Sequence, residues 1–552
     1  MKNIIIILII NAIFTPLGTL KGNTQGTLSV STNDKVFLFT DRNLYVVGEP
    51  ILFSSFIENE SGIRSSVLYV EIISHDGISL LSEKFRINEK KTNGSLIVSK
   101  EFPTGKYFIK AYTKWMRNFG PDFYSYTPVK LINPSREIAE SRANVPNGLG
   151  VKFRDIEIKN NCLSSDKESY KPRETATLSF LEENDESDLT WACLSIVPCA
   201  TISNSYSTII TNTKDDYQLV YPPEEQGISI SGKVVTPTTD ELLPHALVNI
   251  SILGPYPDFI PVRTNYSGQF NLNLPNINGN YDLYIGLDLD SHGKIIVDND
   301  FCTRSIDFNH SGLGLSQKEH NAAQNILNNI EISKQFPLPF LSEQIQNPFI
   351  NQEPFYGTPD MVFEFSKYID LLSLKEYFYE LLPIYVKEKK GSVSFGFYEN
   401  FPEFKIFDPL LMVDNIVLTD ASRVLAADPK LLSRIEIISK PYYKGNMVYG
   451  GVVSFFSKKG DFAGIELPSS DIFLNYKFFQ DKPRVYPPMQ VNKCLPDTRT
   501  TILWNPDFHP EVEGPTVVSF QTPDTKGEYD ILLRGVTSRG NVVFKRHTIQ
   551  VK

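Results

Sequence analysis

Residues 408–462 read DPLLMVDNIVLTDASRVLAADPKLLSRIEIISKPYYKGNMVYGGVVSFFSKKGDF, and this stretch carries the most specific pattern of the chain. It opens with an apolar run that ends at the turn dipeptide Asp414-Asn415. A short helix is predicted after this turn, from a cap at Thr419 or Asp420 through Ala426. It must end before Pro429, because the residue that precedes a proline is pushed away from helical backbone angles.

The second half of this stretch predicts two strands. Ile435 and Ile437 alternate with polar residues, so they share one face of a half-buried strand. Gly450 and Gly451 precede a β-rich run at residues 452–457. Together with the predicted helix, these strands indicate a small α/β unit.

The order of an apolar run, a VD turn, RIEII and YGGVVSFFSKKGD resembles the plug domain of TonB-dependent outer-membrane receptors. That family has Asp-Gly where this chain has Asp414-Asn415. In the family the plug fills the lumen of a large β-barrel that follows it. Ninety residues (552 − 462) follow Phe462, whereas a barrel of about twenty-two strands needs several hundred. The resemblance therefore implies a plug-like domain at 340–465 without its pore, and argues against a transporter.

Length and composition indicate several globular domains rich in short strands. The chain has 552 residues with 36 prolines and 32 glycines, which suits strands joined by turns better than helix bundles. The formal net charge is −10, and no basic run is long enough to indicate nucleic-acid binding.

The first residues have the pattern of a secretory signal peptide. Lys2 precedes an apolar run at residues 4–14, and Pro16 and Gly18 follow it. We predict a signal peptide at 1–24 and an exported chain, with an uncleaved anchor as the alternative. No later run approaches the ~20 apolar residues of a membrane-spanning helix.

Five cysteines show no metal-type spacing. Cys193 and Cys199 can form a disulfide only if a turn at Pro198 brings them together, because six residues of extended strand separate them too far. Otherwise buried structural thiols are predicted. The cysteines are Cys162, Cys193, Cys199, Cys302 and Cys494.

Residues 30–134 predict an all-β sandwich, because runs of four to eight β-prone residues alternate with turn residues. The motif D-R-x-x-Y-x-x-G-E-P at 41–50 and P-x-G-x-Y at 103–107 resemble the macroglobulin-like domains of alpha-macroglobulins and their bacterial relatives. No cysteine lies in the C-G-E-Q sequence of that family's thioester, so covalent trapping is not implied.

A weak internal repeat of this motif predicts a second β-domain at 148–205. Asp41, Arg42 and Tyr45 recur 125 positions later as Asp166, Lys167 and Tyr170. Stacked modules of this kind indicate a non-catalytic architecture.

Three further units are predicted along the chain. Residues 226–305 resemble the carboxypeptidase regulatory-like β-sandwich through their G-x-V, A-x-V-x-I and S-G-x-F patterns. A helix is predicted at 314–336, because Ser316 and Glu319 form a capping box ahead of an apolar stripe. Residues 490–552 predict a C-terminal β-sandwich. The fold class is thus mostly β and multidomain, with several β-sandwich modules plus a small α/β plug-like domain.

A group of four aspartates and one histidine between positions 288 and 300 is the one candidate metal site. It lacks the spacing of an EF-hand, so a solvated acidic loop is the stronger interpretation and no metal is predicted. The group comprises Asp288, Asp290, His292, Asp298 and Asp300.

No catalytic motif stands out, since the chain has no GxSxG, HExxH or P-loop. We therefore expect a protein that is not an enzyme and needs no cofactor. The order of modules resembles exported proteins of Bacteroidota, and implies a binding or scaffold subunit of an outer-membrane transport or export assembly. It would lie in the cell envelope with a barrel-type partner and no nucleic acid. Tyr442 and Tyr443 are the predicted partner contacts.

Two alternatives stay open. One is a free surface or periplasmic ligand-binding, adhesin-like protein, which would bind its target in isolation. The other is an enzyme whose site is assembled between domains, which predicts clustered His, Asp or Glu in a shared cleft.

Overall fold

The computed structural model shows a mostly β, multidomain chain, which confirms the predicted fold class. The predicted signal peptide at 1–24 lies outside the described residues. No helix within the described ranges is long and apolar enough to cross a bilayer. The structure describes residues 34–59, 64–136, 154–155, 163–180, 189–202, 205–206, 219–288, 293–306, 308, 313–337, 341–343, 353–389, 392–398, 404–481, 484–487, 492, 494–511 and 515–552.

The helices and strands are numbered here in chain order. The first eight strands are β1 (Asp34–Thr40), β2 (Leu44–Val46), β3 (Pro50–Asn59), β4 (Val67–Ser74), β5 (Ser79–Arg86), β6 (Lys91–Ile97), β7 (Gly105–Tyr112) and β8 (Ser125–Ile132). The next six are β9 (Arg154–Asp155), β10 (Leu163–Ser165), β11 (Ser169–Tyr170), β12 (Thr175–Phe180), β13 (Leu189–Pro198) and β14 (Ser205–Tyr206).

The middle of the chain contains all three α-helices of the described residues. It begins with β15 (Ser229–Val235), β16 (Leu247–Leu253), β17 (Asp258–Arg263), β18 (Gln269–Asn273), β19 (Asn280–Leu287), β20 (Lys294–Val297), α1 (Gln317–Gln335), β21 (Leu341–Glu343), β22 (Met361–Glu364), α2 (Leu374–Glu380), β23 (Ile384–Lys389) and β24 (Ser392–Phe397). The remaining elements are β25 (Leu410–Val413), β26 (Ile416–Val417), α3 (Ala421–Leu425), β27 (Leu432–Ile438), β28 (Tyr442–Lys444), β29 (Met447–Tyr449), β30 (Val452–Ser457), β31 (Ile472–Lys477), β32 (Arg484–Tyr486), β33 (Leu503–Asn505), β34 (Thr516–Gln521), β35 (Gly527–Thr537) and β36 (Val542–Val551).

The first sandwich packs the sheet β1-β3-β6 on the sheet β2-β8-β7-β4-β5. The apolar run of β1 is buried on both faces. Leu38 belongs to the core between the two sheets, whereas Phe39 belongs to a separate cluster with Trp191 and Trp504. The Phe39 and Trp191 rings stack at 5.7 Å. A strand covered on both sides needs no polar alternation, which explains the continuous run VFLF.

The second sandwich is built from two distant parts of the chain. Its sheets are β10-β12-β34 and β11-β36-β35-β13-β33, so strands from the predicted domains 148–205 and 490–552 pair with each other. Those two predicted domains are therefore one domain, which is interrupted by the chain between β13 and β33. Hydrophobic periodicity marks each strand, but it does not reveal the partner strand.

The two sandwiches repeat the same hydrogen bonds around the repeated motif. The Tyr45 hydroxyl donates to Asp41 Oδ1 at 2.7 Å, and the Tyr170 hydroxyl donates to Asp166 Oδ1 at 2.8 Å. Each motif tyrosine lies on a short strand that pairs in parallel with the last strand of its sandwich, β2 with β8 and β11 with β36. These shared bonds and pairings support the predicted repeat.

The third sandwich consists of the sheets β18-β15-β20 and β17-β16-β19-β31. Strand β31 joins β19 with Leu283 opposite Leu474, so the predicted range 226–305 lacks one strand of this domain. The chain leaves the third sandwich after β20 and returns to it at β31. The α/β unit is inserted between these two strands.

The α/β unit has one five-stranded sheet with the order β22-β27-β30-β25-β26. Ile435 and Ile437 are buried on the predicted face, and α3 begins after the cap Asp420, as predicted. Asp414 and Asn415 both have positive φ, at 47° and 67°. Aspartate and asparagine tolerate this conformation better than other non-glycine residues, so the turn forms without the Asp-Gly of receptor plugs.

Helix α1 confirms the predicted helix and its capping box, which Ser316 and Glu319 form in both directions. Its buried residues are Ala322, Ala323 and Ile326, and the two alanines pack beside Leu44 of the first sandwich.

Candidate docking surface

Exposed large apolar side chains concentrate in the α/β unit. Ten of the 21 found among the described residues lie between positions 362 and 443. A cluster of exposed apolar side chains on one unit is typical of an interaction surface, whereas scattered ones are ordinary.

The first group lies on the loop that leads into α2. Ile369 is 78% exposed and Leu372 is 92% exposed. The backbone beneath them is fixed, because the Tyr377 hydroxyl donates to the Ile369 carbonyl oxygen at 3.2 Å and accepts the Leu371 N–H at 3.0 Å. Ser373 then caps α2. These apolar side chains are therefore presented by an ordered loop.

The second group lies beside the hairpin β23–β24. The rings of Tyr385 and Tyr398 are 5.1 Å apart, and Ile406 is 78% exposed next to the half-exposed Phe407. Gly450 packs against this segment so closely that a Cβ there would lie 2.2 Å from the Phe407 carbonyl oxygen. A glycine is therefore required at this contact.

The third group is the hairpin β28–β29, which carries the two predicted partner contacts. Tyr442 is half-buried and packs against Tyr449 with ring centroids 6.2 Å apart. Burial raises the pKa of Tyr442 to about 12, and the charge of Asp258 adds to the effect. Lys444 Nζ lies 2.6 Å from Asp258 Oδ1 and ties the hairpin to the third sandwich. Only Tyr443, at 60% exposed, is free to contact a partner.

We name these three groups together the docking surface. Sequence reasoning found only the third group. The signal for the other two was large apolar residues next to turn residues, as at Asp370 and Pro409. The docking surface comprises Tyr368, Ile369 and Leu372 of the loop before α2, Tyr398, Ile406 and Phe407 beside β23–β24, and Tyr443 of β28–β29.

A buried network of charges joins the first sandwich to the third. Lys84 Nζ lies 2.6 Å from Asp300 Oδ2, and the Tyr476 hydroxyl donates to the same oxygen. Burial lowers the pKa of Lys84, although Asp300 opposes this effect.

Two further lysine–carboxylate pairs extend this network. Lys110 Nζ lies 2.8 Å from Glu71 Oε1, and Lys114 Nζ lies 3.7 Å from Glu224 Oε1. Burial raises the pKa of Glu224, and Lys114 opposes this effect. All four side chains are at most 2% exposed, so these charges do not line an open cleft. The contacts toward the third sandwich come from the lysines, because Lys110 Nζ also donates to the Cys302 carbonyl at 2.6 Å and Lys114 Nζ donates to the Ser229 carbonyl at 2.9 Å.

The predicted acidic group does not assemble into a metal site in the described part of the chain. Asp300 is bound to Lys84, and Asp298 accepts a hydrogen bond from the Ser231 hydroxyl. Asp290 and His292 lie outside the described residues. Among the residues that are described, no three His, Cys, Asp or Glu side chains are placed to share a metal.

A cavity of about 590 Å³ lies between part of α1 and the first and second sandwiches. Leu327 and Ile330 of α1 line it together with Arg42 and Glu49, which form an ion pair at 2.8 Å. The volume is sufficient for a small ligand. Its described lining contains neither histidine nor cysteine.

The cysteines of the described residues are all free thiols, including Cys193 and Cys199, so the disulfide considered from the sequence is not formed. Cys162 lies outside the described residues.

No family model matches this chain, and no curated protein matches it. Among solved structures it is similar to the alpha-2-macroglobulin of Salmonella reacted with methylamine, at 10% identity and a TM-score of 0.21, over 94% of this chain and 39% of that one. The native alpha-2-macroglobulin of E. coli aligns at 8% identity and a TM-score of 0.24, over 95% and 40%. The E. coli adhesin FdeC aligns at 10% identity and a TM-score of 0.15, over 48% and 64%. The chain thus spans about two fifths of the alpha-2-macroglobulins it matches.

Proposed function

We propose that this protein is a non-catalytic binding subunit of the cell envelope, and that its α/β unit docks to a barrel-type protein of an outer-membrane transport or export assembly. The observation that carries this proposal is the docking surface. Its apolar side chains are exposed on ordered loops, and burying them against a partner would gain roughly 25 cal/mol per Å² of apolar area removed from water.

The arrangement of domains supports a scaffold. The β-sandwiches are joined by large aromatic and ionic contacts, such as Trp191 against Phe39 and Lys84 against Asp300. The α/β unit is inserted into the third sandwich and is held by the Lys444–Asp258 ion pair. A rigid framework of this kind would present the docking surface in a fixed orientation, which lowers the entropic cost of binding.

The resemblance of residues 408–462 to receptor plugs suggests the class of partner. On this resemblance, the plug-like unit would dock to the barrel of another chain. This hypothesis also assigns the protein to an exported, outer-membrane-associated location. In it, the sandwiches that resemble macroglobulin-like and regulatory-like domains have a structural role.

The test is affinity purification of the tagged full-length protein from gently solubilised envelopes, followed by mass spectrometry. We expect a stoichiometric outer-membrane barrel protein with the wild type. The double variant Ile369→Asp/Leu372→Asp should lose it, because two buried charges would oppose docking. Tyr266→Asp is the matched control, since Tyr266 is 88% exposed on the third sandwich, and it should retain the partner. Recovery of the wild type without a partner would contradict this proposal and favour a free, adhesin-like binding protein.

A further inference from the structure

Strand β34 forms one edge of the second sandwich, and it lacks the usual protections of an edge strand. Its sequence is TVVSFQ, without charge or proline, and it pairs with β12 over six residues in an unbroken register. The other edge strands of this sandwich, β10, β33 and β11, have only two or three residues. Natural sheets keep edges short or charged to prevent further pairing.

The outward backbone groups of β34 can be assigned from its neighbours. Thr177 of β12 lies opposite Ser519. Both backbone groups of Thr177 point the other way, because its N–H donates to Asp166 Oδ1 at 2.7 Å and its carbonyl accepts the Asp166 N–H at 2.9 Å. The N–H and C=O of Ser519 therefore point away from β12. By the alternation of antiparallel strands, those of Val517 do so as well.

The first sandwich shows what happens at the same edge when it is covered. Ser95 of β6 occupies the position of Ser519, since Leu52 lies opposite Ser95 and corresponds to Thr177 at the repeat offset of 125 residues. The Ser95 carbonyl accepts a hydrogen bond from the Gln480 side chain at 2.8 Å. In the described parts of the chain no donor reaches the Ser519 carbonyl. One copy of the edge is thus covered by another segment of the chain, whereas none of the described residues covers the other.

The outward backbone groups of β34 that have no partner among the described residues are arranged symmetrically about Val518. At one end the Gln521 carbonyl is occupied by the Arg499 guanidinium at 2.9 Å. At the other end the Thr516 hydroxyl accepts the N–H of Glu511 at 2.6 Å. The outward groups between these limits that have no partner among the described residues belong to Val517 and Ser519, one on each side of Val518.

We propose that β34 pairs antiparallel with β34 of a second copy of this chain, about a two-fold axis through Val518. This register places Val517 opposite Ser519 of the second copy and Val518 opposite its own counterpart. Each of the two opposed Val517–Ser519 pairs then exchanges two backbone hydrogen bonds. In this register the inward-facing side chains of both copies lie on the same, inner face of the joined sheet. No like charges face each other across the axis, because β34 has no charged residue. The sheet β10-β12-β34 becomes continuous with that of the second copy.

The test is sedimentation velocity of the full-length protein over a range of concentrations. We expect a reversible monomer–dimer equilibrium. Ser519→Pro should weaken dimerisation roughly tenfold or more, because it removes an outward N–H from each copy while leaving the bonds to β12 intact. Ser519→Ala is the matched control, since it keeps that N–H, and it should dimerise like the wild type.

A second variant tests the proposal even if the proline variant misfolds. Val517→Lys changes an exposed side chain, 55% accessible, and should also shift the equilibrium to monomer while leaving the thermal unfolding midpoint unchanged. A wild type that is monomeric at all concentrations would overturn the proposal. So would a dimer that both variants leave unchanged, or the capture at β34 of a strand from a different protein instead of a second copy.

Discussion

Replacing Asp300 by asparagine should reveal the cost of burying an unpaired lysine between the first and third sandwiches. The Lys84 side chain is 1% exposed, and its ammonium also donates to the Lys477 carbonyl at 2.7 Å and lies 4.0 Å from the Tyr476 ring centroid. Asparagine keeps the shape of the site but removes the charge. Breaking a buried ion pair costs about 3–5 kcal/mol. We expect a loss of about 3 kcal/mol, because the carbonyl and ring contacts remain.

This loss should depend on pH with a defined sign. Burial already lowers the pKa of Lys84 with Asp300 present, and removing the carboxylate lowers it further. Between that lowered pKa and the unfolded value of about 10.4, the unfolded chain binds more protons than the folded one. Stability then rises with pH, by at most about 1.4 kcal/mol per pH unit. The deficit of Asp300→Asn should therefore shrink between pH 7 and pH 9, by no more than about 2.7 kcal/mol.

The assay is urea unfolding of the full-length chain at both pH values, with the first transition compared between variants. Asp298→Asn is the control, because Asp298 is an exposed carboxylate in the same segment, and it should change stability by less than about 0.5 kcal/mol. The double variant Lys84→Met/Asp300→Asn removes the buried charge and should recover most of the loss. Equal stability of Asp300→Asn and Asp298→Asn, or a loss for Asp300→Asn that is the same at both pH values, would contradict the cost expected for an unpaired buried Lys84.

Three further outcomes are expected from the contacts of single residues. Tyr45→Phe should cost about 1–2 kcal/mol in urea unfolding, because it leaves the buried Asp41 carboxylate short of one donor. Tyr170→Phe should cost less, because water can replace the lost donor at the exposed Asp166; equal losses from the two variants would contradict this reasoning. Ser316→Ala should reduce helix content and cost about 1 kcal/mol by removing the cap of α1, which circular dichroism can measure. In native protein Cys494 should react with a thiol reagent well before Cys193, because Cys494 is exposed and burial raises the pKa of Cys193 to about 11; peptide mass spectrometry gives the order.

Local features of the fold were predictable from the sequence, and long-range pairings were not. The capping box at Ser316 and the cap Asp420 predicted the starts of α1 and α3 to within a few residues of those observed, because a helix cap depends on residues that are neighbours in the chain. The pairing of Thr175 with Gln521 joins strands 346 residues apart (521 − 175). No local pattern specifies such a partner, so one sandwich was predicted as two.

The candidate site was only partly predictable for a related reason. Exposure depends on which elements cover a residue. Lys84 and Lys110 lie on strands whose polar residues would face water in an isolated sandwich, yet the third sandwich buries them. Conversely, Ile369 and Leu372 have the composition of core residues but lie on a loop that nothing described covers. Tyr442 and Tyr443 are adjacent in sequence, and the hairpin exposes only the second.

The most direct test of the docking hypothesis is site-specific photo-crosslinking in intact cells. A photo-reactive amino acid would replace Leu372 on the docking surface or, as the control, Tyr266 on the third sandwich, since both side chains are highly exposed. We expect one crosslinked product with an outer-membrane barrel protein from position 372 and none from position 266. No crosslink from position 372, or the same product from both positions, would contradict it.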